Sequence, residues 1–395
     1  MLMKFQKAGK ALIFTVLAAF FSPSLAQSEE SLTVLALAAG AAHTCALISD
    51  GTVRCWGSNT DGQLGIGKIT QEFEKSVQVA GIRAARQIAT RLDLTCASLV
   101  GGTVRCWGNN QYGQLGDGTT NNTLLPVAVT GLHSATAVAA GFHHACALLK
   151  DGSVSCWGRN EQGQLGNATQ IDASIPVPVS GITTATAVIT GDYHSCALLQ
   201  AGTVRCWGGN DLGQLGNGTK TDAAVPVGVT GLKSVTAIGA GNGFNCAVLS
   251  TGRIKCWGGN RIGQLGNGTR KESPVPVDTT GITSAQKVVG GSFHACALLR
   301  EGTVKCWGFN NAGQLGNGER DYVERAIHEQ NILTSVEVID LKSVRDVTTG
   351  LAHSCAIEGV KTVKCWGGNI ISGHYSAEVH LSTSTPVVVP VIPEE

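Results

Sequence analysis

The chain has 395 residues, a length suited to two or three average domains, and only 14% of them are charged. Lysine and arginine number 29 against 28 acids, a formal net charge of +1, and no Lys/Arg run stands out, which argues against nucleic acid as a ligand. The 14 cysteines and 52 glycines recur at fixed spacings, so a repeat array replaces the multi-domain expectation and the glycines mark turns rather than disorder.

Residues 1–26 read as a secretory signal peptide. Lys4, Lys7 and Lys10 form a basic start, Ala11 to Phe21 is apolar, and Ser24-Leu25-Ala26 places small residues before a cleavage point at Ala26/Gln27. The apolar run is too short to span a bilayer, and no later segment is long enough. The alternative is an N-terminal anchor that stays attached. Cleavage removes three lysines and no acid, taking the formal charge from +1 to −2. The mature chain, 27–395, is expected to be secreted or periplasmic.

Seven units follow, approximately 31–80, 81–131, 132–181, 182–231, 232–281, 282–340 and 341–391. In each, a Cys-Ala pair is followed, ten residues after its Cys, by Cys-Trp-Gly. The pairs are Cys45 with Cys55, Cys96 with Cys106, Cys146 with Cys156, Cys196 with Cys206, Cys246 with Cys256, Cys296 with Cys306 and Cys355 with Cys365. In the first unit, Ser49-Asp50-Gly51 suits a three-residue hairpin loop with Gly in the left-handed position. Counting outward from Ile48 opposite Thr52 sets Cys45 opposite Cys55. If the closing pair is hydrogen-bonded, the cysteines form a non-hydrogen-bonded pair with Cα atoms about 4.5 Å apart, within disulfide reach. Two thiols per unit do not make a tetrahedral zinc site, and an export signal favours disulfides.

The third unit shows the strand pattern. Thr136 to Ala140 is a short apolar strand, His144 to Leu149 a second, and Ser153 to Gly158 a third. A polar loop from Asn160 to Gly166 leads to a fourth around Pro176 to Val179, which its prolines make an edge. Four strands per unit, seven times, without helical periodicity, predict an all-β, seven-bladed β-propeller of four-stranded blades. Each Trp must point to the opposite sheet face from its Cys neighbour, which makes the seven Trp inter-blade core. The step of 59 residues before the last unit adds a charged stretch around Glu319 to Asp340, read as a tolerated insertion, with a protruding loop of specific role as the alternative. Leu32 to Leu37 reads as an innermost strand and Pro386 to Val391 as an outermost one. A strand exchanged between first and last blades stays open.

The order Gly-x-x-His, Ala-Leu, Asp-Gly, Trp-Gly-x-Asn and Gly-Gln-Leu-Gly resembles the regulator-of-chromosome-condensation repeat family. Unit three has all of it: Gly141, His144, Ala147-Leu148, Asp151-Gly152, Trp157 to Asn160 and Gly163 to Gly166. The resemblance covers nearly the whole mature chain and implies the same seven-bladed fold. Unit two departs with Arg91-Leu92-Asp93-Leu94, unit five is read with Asn245 in place of the His, and unit seven runs Asn369 to Gly373 without Gly-Gln-Leu-Gly. The paired cysteines lie outside the general family pattern and mark an exported variant. The family includes a nuclear nucleotide-exchange factor for a small GTPase, an activity the signal peptide argues against here. It also includes an exported bacterial inhibitor of β-lactamases, similar in compartment and scaffold.

On such a scaffold, function belongs where the units differ. The pairs between Gly and His supply Leu92, Asp93, Phe142, His143, Asp192, Tyr193, Asn242 and Phe293. Strand three returns to the same end, so the loop after Trp-Gly-x-Asn adds Tyr112, Gln162, Asp211, Leu212, Arg261 and Phe309. The resemblance implies partner contacts on this face as well. Aromatics mixed with Asp and Arg suit a protein-binding rim. His43, His144, His194, His294 and His353 recur around the ring. They are too far apart to converge on a metal, and a structural hydrogen bond to the loop backbone is expected. No metal, cofactor or catalytic residue is expected. Asn121, Asn167, Asn217 and Asn267 begin sequons that matter only in a host with an endoplasmic reticulum. The reading is an exported, disulfide-stapled, monomeric propeller that binds a protein partner, without nucleic acid or a stable membrane span. A carbohydrate or cell-envelope ligand on the same face is the alternative.

Overall fold

The computed structural model describes residues 32–320, 332–368 and 382–392. The expected signal peptide, half of the insertion (321–331) and the irregular Asn369 to Gly373 stretch lie outside the described residues. Within them the regular structure is all strand, arranged as seven four-stranded antiparallel sheets, each made of consecutive strands. Blade one comprises β1 (Val34–Ala39), β2 (His43–Ile48), β3 (Val53–Asn59) and β4 (Thr70–Gln78), paired in that order. The first strand of each blade lines the axis and the fourth is outermost. Pro126, Pro176, Pro226 and Pro276 lie on outermost strands, where a missing N–H costs no ladder bond.

The β2–β3 hairpin has the expected register. Gly51, at φ +78°, turns the chain, and the Ile48 N–H donates to Thr52 O at 3.0 Å. Leu47 then faces Val53, and Cys45 faces Cys55. The same register recurs in every blade, so all seven disulfides lie within a unit, with Cα atoms 4.0–4.1 Å apart. Cys45 is bonded to Cys55, Cys96 to Cys106, Cys146 to Cys156 and Cys196 to Cys206. In the last three blades Cys246 is bonded to Cys256, Cys296 to Cys306 and Cys355 to Cys365. These are the pairs expected from the hairpin count, and the Cα separation is slightly shorter than the 4.5 Å of an unbridged pair. Seven such bridges point to an oxidising, extracellular-type environment. Among the described residues no helix is long and apolar enough to cross a membrane.

The core lies between blades. Cys96, Val104, Cys106 and Leu115 of blade two pack with Val138, Ala145, Ala147 and Trp157 of blade three. A disulfide therefore faces the next blade, and the following Trp faces the previous one, as strand alternation requires. Trp107, Trp157, Trp207, Trp257, Trp307 and Trp366 are fully buried.

Ring closure needs no exchanged strand. The last blade, β25 (Val344–Thr349), β26 (His353–Glu358), β27 (Thr362–Gly367) and β28 (Thr383–Val389), pairs only within itself. It meets blade one side by side. Leu37, Ile48 and Trp56 share a core with Ile357, Val363 and Val389, and the Val34 N–H donates to Val360 O at 3.2 Å.

Candidate partner-binding rim

The repeat motifs build a stiff frame for one end of the ring. In blade two, Asn110 Oδ1 accepts from the Leu115 N–H at 2.9 Å while its amide nitrogen donates to Asn121 O at 3.0 Å. Gln114 Oε1 accepts from the Tyr112 N–H at 2.9 Å and closes the tight turn. The carbonyl of the same Gln accepts from Trp157 Nε1 of blade three at 2.9 Å. The same Trp-to-Gln bond, at 2.9 Å, recurs at Trp107, Trp207, Trp257, Trp307 and Trp366. Gly-Gln-Leu-Gly is thus a latch for the next blade's Trp, not a ligand loop.

The five recurring histidines are also inter-blade bonds, to side chains of the next blade rather than to the loop backbone. His43, His144, His194, His294 and His353 place Nε2 2.9 Å from Thr95, Ser195, Asn245, Ser354 and Thr44 respectively. Ser195 Oγ donates to Gln164 O at 3.0 Å, so it accepts from His144 and fixes the proton on Nε2. Thr95 and Ser354 do the same with Gln63 O and Gln314 O, both at 3.0 Å. Asn245 donates its amide to Gln214 O at 2.7 Å, leaving its Oδ1 to accept from His194. Burial pulls the imidazoles down to about 3 at His43, His144 and His294, and to about 4 at His194 and His353.

Two interfaces lack this bond. The His position is Leu94 in blade two and, in blade five, Phe244 rather than the expected Asn245, because Phe244 pairs with Gly258 as His144 does with Gly158. Both are buried, and the next blade there offers Ala145 and Ala295. Every interface is therefore matched, five by His with a polar partner and two by an apolar side chain with Ala. The preceding Gly is explained too. A Cβ on Gly141 would lie 2.3 Å from His144 Cε1. Blade two lacks the His and carries Arg91 at that place.

Arg91 reaches across the axis. Its Nε donates to Asp192 Oδ1 of blade four at 2.8 Å, and its Nη1 to Gly290 O of blade six at 3.4 Å. It caps an axial cavity of about 410 Å³ lined mainly by Ala, Val, Ile, Gly and Thr of the innermost strands. Lys287 in its wall pairs with Asp346.

Around this cap the structure brings several of the expected rim residues together. Phe142 lies against His143, its ring tilted 46° with centroids 4.0 Å apart, and meets Tyr193 edge-on at 5.4 Å. Tyr112 lies 4.7 Å from His143. The Arg159 guanidinium sits 5.0 Å from the Tyr112 ring centre and 5.8 Å from that of Tyr193, and is held by Glu161. Burial and the Arg159 charge lower His143 to about 4, so it is a neutral part of the cluster. Arg159 was missed by sequence reasoning. The signal for it is the variable position of Trp-Gly-x-Asn, which Arg159 shares with Phe309.

The other rim residues stand apart. Phe293 and Phe309 form a second edge-on pair at 6.4 Å in blade six. Arg261 is largely exposed and bonds Glu272 at 3.0 Å. Asn242 is half-buried in blade five. Asp192 is buried under Arg91 and turned away from solvent, because a carboxylate there is needed to neutralise the guanidinium. Leu92 takes a left-handed conformation at φ 45°, and Asp93 accepts from Gln63 Nε2 at 3.0 Å. Burial, with Asp61 nearby, raises Asp93 to about 6.

Comparison with known proteins agrees with this architecture. The RCC1-like domain model matches residues 15–339. The ultraviolet-B receptor UVR8 of Arabidopsis thaliana is 31% identical over 108 residues, which is 27% of this chain and 24% of the receptor. The chain thus spans about a quarter of that relative's length. Human WBSCR16 superposes with a TM-score of 0.73 at 22% identity, covering 82% of this chain and 87% of that one. Prp20p of Saccharomyces cerevisiae, described with its binding to Gsp1p and histones, gives 0.70 at 20% identity over 83% and 82%. These likenesses show the fold, and the domain match over most of the sequence shows that the chain belongs to the RCC1-like domain family.

Proposed function

We propose that this chain is an exported binding module that captures a protein partner on the rim of blades two to four. The observation that carries the reading is the run Tyr112, His143, Phe142 and Tyr193, flanked by Arg159, on a frame of interlocked loops. Large rings and a guanidinium, already ordered, lose little entropy on docking and are the side chains that dominate protein interfaces. Prp20p supports a protein partner by analogy of fold. Export is supported by the seven disulfides and by the charge and apolar pattern of residues 1–26.

The test is affinity capture from an envelope fraction with wild-type and Phe142→Ala/Tyr193→Ala protein, alongside glycan retention. Loss of a discrete protein partner with unchanged glycan retention is expected. The carbohydrate reading has one observation in its favour, the Gln162 Oε1, buried near the cluster without a partner among the described residues. Unchanged protein partners with lost glycan retention would establish that reading instead.

A further inference from the structure

The opposite end of the ring carries a different surface. There the strand 2–3 turns dock on the segments that enter each first strand. The Ser49 N–H donates to Thr33 O at 2.9 Å, the Ala85 N–H to Gly51 O at 2.9 Å, and the Val100 N–H to Ala84 O at 2.8 Å. Across the ring closure Val34 bonds Val360, and within blade seven Arg345 Nη1 donates to Gly359 O at 3.4 Å. These contacts join the turn ends of blades seven, one and two into one continuous face.

That face exposes four aliphatic side chains: Leu32 at 39%, Leu35 at 49%, Val100 at 60% and Val360 at 55%. Five exposed cations surround them: Arg83, Arg86, Lys342, Arg345 and Lys361. None of the five forms an ion pair among the described residues. Among the described residues the acids beside them are Asp50, whose carboxylate accepts from Thr52, the exposed Asp340, and Glu358, which is bound to Lys364 at 2.8 Å and also feels the Lys342 charge. The patch therefore has a surplus of unneutralised positive charge around protruding aliphatic tips. It has no aromatic anchor of the kind that the rim carries.

We infer that the turn face of blades seven, one and two associates peripherally with an anionic phospholipid surface. The aliphatic tips enter the headgroup–acyl boundary and the cations meet the phosphates. Short turns on a rigid disc suit this. They present separated apolar points to a soft surface without a pocket for a folded partner. The interaction is independent of the rim, which it leaves facing away from the lipid.

The test is co-sedimentation of the purified protein with phosphatidylcholine vesicles and with vesicles containing phosphatidylglycerol. Binding is expected only with phosphatidylglycerol, weakening as salt is raised to about 0.3 M. Arg345→Gln/Lys361→Gln should lower the partition coefficient roughly 25-fold, about fivefold per cation removed. Leu35→Ser/Val360→Ser should weaken binding while leaving its salt dependence in place. Phe142→Ala/Tyr193→Ala should bind vesicles like wild type, which separates this inference from the rim reading. Near-ultraviolet dichroism of the buried Trp confirms that each variant is folded. Equal binding to both vesicle types, no binding to either, or unaltered binding by both turn-face variants would overturn the inference. So would retention on an acidic polymer without vesicle binding, which would point to an acidic macromolecule.

Discussion

The buried histidines predict an unusual sensitivity to acid. Four of the five inter-blade imidazoles, His43, His144, His194 and His294, already use the Nε2 proton, so there a second proton must go to Nδ1. That atom is buried and has no partner among the described residues in all five. The folded values of about 3 to 4 lie below the unfolded 6.5. The unfolded chain therefore binds more protons below 6.5, and stability falls as pH drops from there toward the folded values. Each group costs roughly 2 kcal/mol at pH 5, and five together about 10 kcal/mol if they add. That approaches the whole stability of a typical domain, about 5–15 kcal/mol. Asp93 acts in the opposite sense. Raised to about 6, it takes up a proton in the folded state first and offsets close to one histidine between pH 6 and 4.

His143, lowered to about 4 on the rim, nearly cancels Asp93, so the expected net uptake on unfolding near pH 5 is about five protons, a slope of roughly 6 kcal/mol per pH unit. Guanidinium unfolding under non-reducing conditions at several pH values from neutral to about 5 measures it. The double variant His144→Phe/Ser195→Ala converts one interface to the apolar type already present at Phe244 and Ala295, and should remove about one proton from the slope. A wild-type slope below one proton, or a double variant with the full slope, would refute the reasoning.

Three further outcomes follow from the packing. Peptide mapping of the unreduced protein should find only bridges within units, and a bridge between units, such as Cys156 to Cys206, would contradict the hairpin register. Arg91→Ala strands the Asp192 carboxylate in a buried place and should cost about 3–5 kcal/mol in denaturant unfolding, with Arg91→Ala/Asp192→Asn recovering part of the loss. Trp157→Phe keeps most of the packing but forfeits the bond to Gln114 O and should cost about 1–3 kcal/mol, against about 3–5 for Trp157→Ala, both read by thermal unfolding.

What could be read from the chain was what one repeat contains within itself. Loop length and Gly51 set the hairpin register, register set the cysteine pairing, and alternation then fixed the side of each Trp. What could not be read depends on pairs from different repeats. The partner of His144 is Ser195, 51 residues away, and only a comparison of each unit with the next would have exposed the matching of His with a polar neighbour. Asp192 looked like a rim residue because its own unit gives no sign of Arg91, 101 residues earlier and across the axis. Ring closure was equally hidden, since blades that meet side by side leave no shared strand to detect. The bond from His353 to Thr44 is nevertheless the same match that joins the other His interfaces.

The departure in unit two connects the frame to the rim. Replacing His by Leu94 removes the imidazole that would collide with any side chain at the preceding glycine. Ala145 is the change in blade three that lets Leu94 pack. Only then can Arg91 extend over the axis, and its charge then requires a carboxylate, which Asp192 supplies from blade four. Asp192 precedes Tyr193, and Tyr193 completes the aromatic run with Phe142. An irregularity that weakens the repeat pattern thus breaks the ring's symmetry where the rim cluster forms. A seven-fold frame offers seven equivalent places for a partner. The Arg91–Asp192 bridge is what makes the sector of blades two to four unlike the rest.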